Sequence, residues 1–298
     1  MAPSPLVRLH VDAPCEVWLK LECLQPIGSF KLRGATNAIR QASPDELRAG
    51  VWTTSAGNMA QGVCWVAREL AVPATVVAPD HAPRAKLDAV ERLGGRAITV
   101  PFETWWEAME TGAFPGVDGF FVHPVLDERV MAGNGVIGLE LAEQLDDIDA
   151  VLVAWGGGGL TTGIASALAA VSPQTRVIGC EPETGAPLAA SLAAGRPVAV
   201  DYRPSFVDGA GSKALLPAMW ERARDLVAGA ATVSLADAAA AVRLLATRAH
   251  VVAEGAGALA PAAALAGAGG SGRVVCIVSG GNIDPERLAT VLAGSVPD

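Results

Sequence analysis

The sequence predicts an α/β protein of two domains, each built on an open, mostly parallel twisted sheet. Three observations carry this. Short β-branched runs alternate with longer alanine-rich helical runs, the pattern of parallel strands joined by crossover helices. Strands such as Val151–Trp155 (VLVAW) and Val274–Val278 (VVCIV) are apolar throughout, as strands covered on both faces must be. Two β-α series occur, Val51–Val100 and Asp149–Ser279, with the Trp- and Phe-rich stretch Phe102–Arg129 between them. The expected division is a large domain of 1–51 and 129–298 and a smaller inserted domain of 52–128.

In chain order, Leu32–Arg40 reads as a helix and Val51–Thr54 as a strand. Ala60–Leu70 and Arg84–Leu93 are helical around the strand Ala74–Ala78, and Arg96–Val100 is a strand. Phe102–Arg129 lacks clear periodicity and is expected to be irregular. Gly135–Gln144 is a helix, with Ile137, Leu141 and Leu145 on one face. Asp149–Trp155, Arg176–Glu181 and Arg273–Val278 are strands, and Leu160–Val171, Ala236–Ala249 and Gly257–Ala266 are helices. Pro285–Ala293 is a last helix, opened by Asp284 as its cap and Pro285 at its first position.

Composition narrows the function classes. The 298 residues are 51% hydrophobic and 18% charged, which excludes intrinsic disorder. The formal charge of −9 argues against a nucleic-acid surface, which needs clustered Lys and Arg. The apolar stretch Val251–Ala268 is broken by Glu254, Pro261 and glycines and is a poor membrane span. Met1–His10 has no apolar signal core, so a cytoplasmic protein is expected. The five cysteines are scattered without any C-x-x-C, which is neither a disulfide framework nor a zinc site. The four histidines, His10, His81, His123 and His250, form no H-x-x-x-H pair, so no metal hydrolase is indicated.

Four segments can carry chemistry. At Ala154–Leu160 an apolar strand ends in Gly156, Gly157, Gly158 and Gly159, and a helix follows. Free N–H groups at a helix N-terminus, together with its dipole, make an anion cradle. The alternative is a flexible tight turn. The run is neither a Walker loop, lacking its Lys, nor a G-x-G-x-x-G. Glu181, ending the next strand, stands where a ribose-binding acid would, so a dinucleotide reading stays open at this point.

Lysine is scarce, at Lys20, Lys31, Lys86 and Lys213 only. Lys31 lies in Gly28–Ala35 (GSFKLRGA), beside Phe30 and leading into a helix. A partly buried lysine has a lowered pKa and serves as nucleophile or base. The alternative is an ordinary surface lysine on a first helical turn. Thr53–Gly62 (TTSAGNMAQG) ends a strand in small polar residues and opens a helix, which suits either an anion or a simple cap. Val278–Asn282 (VSGGN) is another strand running into glycines. In a parallel sheet such strand ends share one edge, where ligands bind.

Lys20–Ala35 (KLECLQPIGSFKLRGA), Ser55–Gly62 (SAGNMAQG), Gly156–Leu160 (GGGGL), Glu254–Ala258 (EGAGA) and Ser279–Asn282 (SGGN) occur in this order. Together they resemble the threonine/serine dehydratase (ammonia-lyase) family of fold-type II, tryptophan synthase β-like enzymes that use pyridoxal 5'-phosphate (PLP), a family that includes serine racemase. The resemblance runs from Pro5 to Leu292. It implies that Lys31 holds PLP as a Schiff base with Phe30 beside the ring, and that Asn58 hydrogen-bonds the phenolic oxygen. Gly156, Gly157, Gly158, Gly159 and Leu160 would cradle the phosphate, and Ser279 would face the pyridine nitrogen. Ser55, Ala56, Gly57, Asn58 and Met59 would bind the substrate carboxylate, with Ile27 beside them.

The departures from the family pattern shape the expected chemistry. Ile27 stands where Thr is usual and Met59 where His is usual, so a more apolar pocket is expected. Ala56 stands where racemases carry a serine as second base, which favours elimination over racemisation. Some members bind a divalent cation through a Glu, a backbone carbonyl and an Asp. Glu181 and Gly185 match the first two, Pro187 replaces the third, and no metal is expected. The implied reaction removes the Cα proton through Lys31, expels a β-hydroxyl and ends in a 2-oxo acid and ammonia, with PLP storing the negative charge. Serine or threonine is the default substrate, and phenylserine or a β-replacement reaction is the alternative. A nicotinamide oxidoreductase and an inactive binding protein are the other readings. A homodimer acting on a small-molecule amino acid, with no nucleic-acid or membrane partner, is the family expectation.

Overall fold

The strand-helix alternation does produce two sheets. The computed structural model describes residues 2–82 and 84–298. The chain forms two compact units, one of Met1–Ser29 and Gly135–Asp298, the other of Phe30–Asn134.

In the first unit, β1 (Leu6–Arg8) and β2 (Glu16–Leu21) precede the gap in sequence, and β7 (Ala150–Ala154), β8 (Arg176–Pro182), β9 (Gly229–Val233) and β10 (Arg273–Val278) follow it. The six strands lie in the order β1-β2-β10-β7-β8-β9. Only the edge strand β1 is antiparallel. The sheet centre is the most apolar part, because β7 and β10 are covered on both faces. Cys276 there pairs with Leu19 on one side and Leu152 on the other, and all three side chains are buried. Cys180, in β8, is likewise a free buried thiol.

Helices α6 (Gly159–Val171), α7 (Pro187–Ala194), α8 (Pro217–Ala223), α9 (Leu235–Leu244), α10 (Gly255–Leu265) and α11 (Pro285–Leu292) connect these strands. Helix α10 is apolar all round and buried along nearly its whole length, packed on β7 and β10. Helix α9 runs on through a widened π-helical turn, Leu245–Ala249, and stops where His250 adopts a left-handed backbone (φ 57°).

The second unit has a wholly parallel sheet of β3 (Val51–Thr54), β4 (Ala74–Pro79), β5 (Arg96–Val100) and β6 (Phe120–Phe121), ordered β5-β4-β3-β6. Its helices are α1 (Lys31–Gln41), α2 (Asn58–Glu69), α3 (Arg84–Arg92) and α4 (Phe102–Thr111). The division between the units falls inside α5 (Glu128–Gln144), after Asn134. Residues 30–51 and 129–134 therefore lie with the smaller unit, where the sequence set the boundaries at 51/52 and 128/129. The reason is side-chain economy at the helix contacts. A Cβ on Gly62 of α2 would stand 3.2 Å from the Lys31 carbonyl, and one on Gly34 of α1 would stand 2.7 Å from Val130 of α5. These glycines let α1 pack closely on α2 and on the start of α5.

The expected irregular stretch Phe102–Arg129 is corrected. It holds α4, β6 and the first residues of α5. Helix α4 carries Phe102, Trp105 and Trp106 as a surface ring cluster rather than a buried stripe, which is why apolar periodicity did not reveal it. Strands β1, β2 and β9 and helices α7 and α8 are further elements beyond those expected.

Candidate active site

In the smaller unit, Lys31 is the first residue of α1 and Phe30 its cap. Alanines and Leu32 and Ile39 form the buried face that seats the helix. The half-buried Lys31 amine lies 5.1 Å from the Phe30 ring centroid and donates to the Pro124 carbonyl at 3.1 Å. Pro124 follows His123, whose Nδ1 accepts from the N–H groups of Val125 and Leu126, both at 3.0 Å. An acceptor nitrogen must be unprotonated, so the geometry is that of a neutral imidazole. Burial holds the His123 pKa below the usual histidine range; nearby Asp127 opposes this and the Lys31 charge adds to it.

The same unit contains the end of β3. Thr53 is tied down, its hydroxyl donating to the Val122 carbonyl at 2.8 Å. The neighbouring Thr54 hydroxyl is buried without a partner among the described residues. Ser55 Oγ accepts from Gly57 N–H at 3.2 Å, and Gly57 then caps α2. Ser55, Ala56, Gly57 and Asn58 are half-buried. A Cβ on Gly57 would meet nothing within 4 Å, so there is room beside the first turn of α2. Met59, expected to make the pocket apolar, is only 1% exposed.

In the larger unit, β7 ends at Ala154 and passes through Trp155 into the four glycines. Gly158 is left-handed (φ +89°), and a Cβ there would stand 2.6 Å from Met219 and 2.8 Å from the Trp155 ring. Gly158 caps α6 with no side chain of the described residues contributing. The first-turn threonines face inward. Thr161 Oγ1 donates to the Ala154 carbonyl and Thr162 Oγ1 to Met219 Sδ. Gly156 is half-buried and Gly157 exposed, and backbone N–H groups at such a helix N-terminus suit an anion.

Ser279 directly follows β10, the strand adjacent to β7, so the serine and the glycine turn leave the sheet at the same edge. It is 3% exposed. The glycines after it are held closely. Gly281 N–H donates to the Gly28 carbonyl at 2.9 Å, Gly280 accepts from Glu254 N–H at 3.0 Å, and Asn282 Nδ2 donates to the Ile27 carbonyl at 2.8 Å. A Cβ on Gly257 of α10 would collide with the Gly280 carbonyl, which explains the EGAGA segment. Ile27 is buried, its carbonyl spent on this contact.

Glu181 is fully buried, and its two carboxylate oxygens accept from the N–H groups of Leu188 and Ala189 at 2.8 and 2.9 Å, in the first turn of α7. Burial pushes its pKa up to about 7, against these hydrogen bonds. The Gly185 carbonyl accepts from Ser212 N–H at 3.4 Å. Both groups suggested by the family's cation site are therefore engaged by backbone donors. The sequence reading missed His123 and Pro124 as functional candidates; the signal available was a His-Pro pair after an aromatic strand.

The profile of the pyridoxal-phosphate dependent enzyme family matches residues 1–280. The L-threonine ammonia-lyase of Thermotoga maritima is 40% identical over 285 residues, 93% of this chain and 70% of that protein. Among solved structures, maize serine racemase superposes with a TM-score of 0.87 at 31% identity, covering 98% of this chain and 92% of that one. A fungal L-serine ammonia-lyase from Rhizomucor miehei gives 0.83 at 26% identity, covering 98% of each. The chain belongs to the pyridoxal-phosphate dependent enzyme family. It is a fold-type II enzyme whose cofactor is PLP, with ammonia-lyase relatives along nearly its whole length.

The residues present fit that cofactor. A half-buried primary amine lies over an aromatic ring, a glycine turn that a Cβ would fill opens an N-terminus without a side-chain cap, and the buried Ser29 and Thr54 hydroxyls have no partner among the described residues.

Proposed function

We propose that this enzyme eliminates water from a serine- or threonine-type β-hydroxy-α-amino acid to give a 2-oxo acid and ammonia. The observation that carries the reading is the Lys31 amine, half-buried at the head of α1 and donating to the Pro124 carbonyl, in a chain with near full-length ammonia-lyase relatives. PLP, when bound, withdraws electrons from the substrate Cα, which acidifies its proton and eases loss of the β-hydroxyl.

The protein's part is positioning and proton transfer. Lys31 anchors the cofactor and its Nζ takes the Cα proton. The N–H groups from Gly156 to Leu160 hold the phosphate, Asn58 the ring oxygen, and Ser279 the ring nitrogen, with Phe30 against the ring. Ser55, Asn58 and the backbone around Ala56–Met59 bind the substrate carboxylate. The departing hydroxyl takes up a proton equivalent to the one that Nζ removed and leaves as water, and a second water is consumed in releasing ammonia and the 2-oxo acid. Ala56 has no hydroxyl to reprotonate the opposite face, which supports elimination over racemisation. In this reading the unit of Met1–Ser29 and Gly135–Asp298 supplies the phosphate and ring-nitrogen contacts, and the unit of Phe30–Asn134 supplies Lys31 and the substrate-carboxylate segment. A cytoplasmic homodimer goes with it; among the described residues no helix is long and apolar enough to cross a membrane.

The test is a visible spectrum of the purified protein before and after borohydride, with peptide mapping of the modified lysine. The expected result is a cofactor band lost on reduction and the label on Lys31. Rates of ammonia and 2-oxo acid release from serine, threonine and phenylserine then define the substrate. A higher kcat/KM for serine or threonine supports the reading, and preference for phenylserine assigns Ile27 and Met59 a bulkier substrate. Absence of ammonia from all three overturns the proposed reaction.

A further inference from the structure

Phe121, His123, Pro124 and Asp127 belong to one short connection between β6 and α5, in the same unit as Lys31. The connection is organised by one side chain. His123 Nδ1 gathers the N–H groups of Val125 and Leu126, and the Phe121 ring meets the imidazole edge-on at 5.8 Å between centroids. The turn so closed presents the Pro124 carbonyl, which accepts from Lys31 Nζ. Proline has no N–H and a fixed φ, so this carbonyl's direction is set by the residues on either side.

The charged groups acting on His123 are Asp127, on its own segment, and Lys31, from α1. Asp127 is itself engaged, accepting from Arg129 N–H at 2.8 Å and from its guanidinium at 3.2 and 3.3 Å. Arg129 in turn stacks on the Phe120 ring at 4.5 Å. Asp127 thus hydrogen-bonds Arg129 while its charge still acts on the imidazole. A proton on Nδ1 would turn an acceptor into a donor and remove this acceptor from two backbone N–H groups, a cost of the kind that loosens a turn.

We propose that His123 is a positioning residue for the elimination. Its neutral imidazole closes the turn that holds the Pro124 carbonyl against the Lys31 amine, and protonation loosens the turn and with it this contact to the amine. The inference rests on Lys31 being the cofactor-bearing lysine. It adds a role for a residue that touches neither substrate nor cofactor in the reading above.

Two substitutions separate this role from packing. In His123→Asn the side-chain oxygen can accept the same two N–H groups, as Asn does in Asx turns. In His123→Leu the side-chain acceptor is lost. Each variant and the wild type are freed of cofactor, and the rate at which added PLP becomes fixed to Lys31 by borohydride is followed by peptide mapping. The kcat and KM for the best hydroxy amino acid are measured across pH.

His123→Leu is expected to lose about tenfold to a hundredfold in kcat and in the rate of cofactor capture, with KM little changed. His123→Asn is expected to recover both to within about threefold of wild type, and its acid-side loss of activity to shift to lower pH because Asn does not titrate. Wild-type rates in His123→Leu, an unchanged acid limb in His123→Asn, or equal impairment of both folded variants would overturn the proposal. If His123→Leu does not fold, the pH profile of His123→Asn decides alone. A borohydride label on a lysine other than Lys31 in the wild type would overturn the parent assignment instead, a result visible before any variant is made.

Discussion

At the scale of single residues, the glycine turn shows why composition at one position can be decisive. Gly158 combines a left-handed backbone with a site where a Cβ would press on Met219 and Trp155. Both penalties fall on the same residue, and the turn it shapes is the proposed phosphate cradle. Gly158→Ala is therefore expected to lower stability by about 1–3 kcal/mol from backbone strain alone and to weaken PLP binding at least as much. Urea unfolding and a PLP titration of the variant check this. An unchanged unfolding midpoint would mean that the turn relaxes freely. Lys20 illustrates the opposite case of a residue whose type misleads. One of only four lysines, it is fully buried, and its amine donates to Glu140 at 2.5 Å, the Ser4 carbonyl at 2.9 Å and Gln144 at 2.7 Å. Such a satisfied ion pair ties β2 to α5 and is structural.

At the scale of elements, α7 begins on a carboxylate. Glu181 sits at the end of β8 and accepts the first N–H groups of α7, an arrangement favoured by the helix dipole and opposed by burial. Burial is the larger effect, since the pKa lies near 7 rather than in the usual carboxylate range. The sign of the linkage follows. Between the unfolded value and about 7 the folded protein holds a proton that the unfolded chain has released, so this group's contribution falls as pH rises through that window. Glu181→Gln keeps one acceptor oxygen and does not titrate. Its stability relative to wild type is expected to improve between pH 5 and pH 8, measured as the difference in urea unfolding free energy at the two values. A constant difference across pH would show that Glu181 does not titrate in this range.

At the scale of the whole molecule, Phe30–Asn134 is a continuous unit inserted into a larger unit that is discontinuous in sequence. A ligand that binds only the folded chain stabilises it by mass action, by about 2.7 kcal/mol at a hundredfold excess over Kd. PLP is thus expected to raise the Tm of the cofactor-free protein, and Lys31→Ala to lose most of that rise while its own cofactor-free Tm stays near wild type. An equal rise in wild type and Lys31→Ala would place the covalent anchor elsewhere.

Local signals in the sequence determined the fold class, most central strands and the positions of Lys31, the glycine turn and the Ser279 segment. Each of these is a short run whose chemistry is contained in adjacent residues, either as period-two or period-3.6 burial or as glycines placed at a strand end. The aromatic helix α4, the two-residue strand β6 and the edge strands β1 and β9 lacked such periodicity because their side chains are part exposed or their pairing partners lie far along the chain. Only the tertiary structure decided that α1 belongs with Phe30–Asn134, that Glu181 serves a helix terminus, and that the Lys31 amine meets a carbonyl 93 residues away. Contacts at that separation depend on how sheets and helices pack, and no local period encodes them.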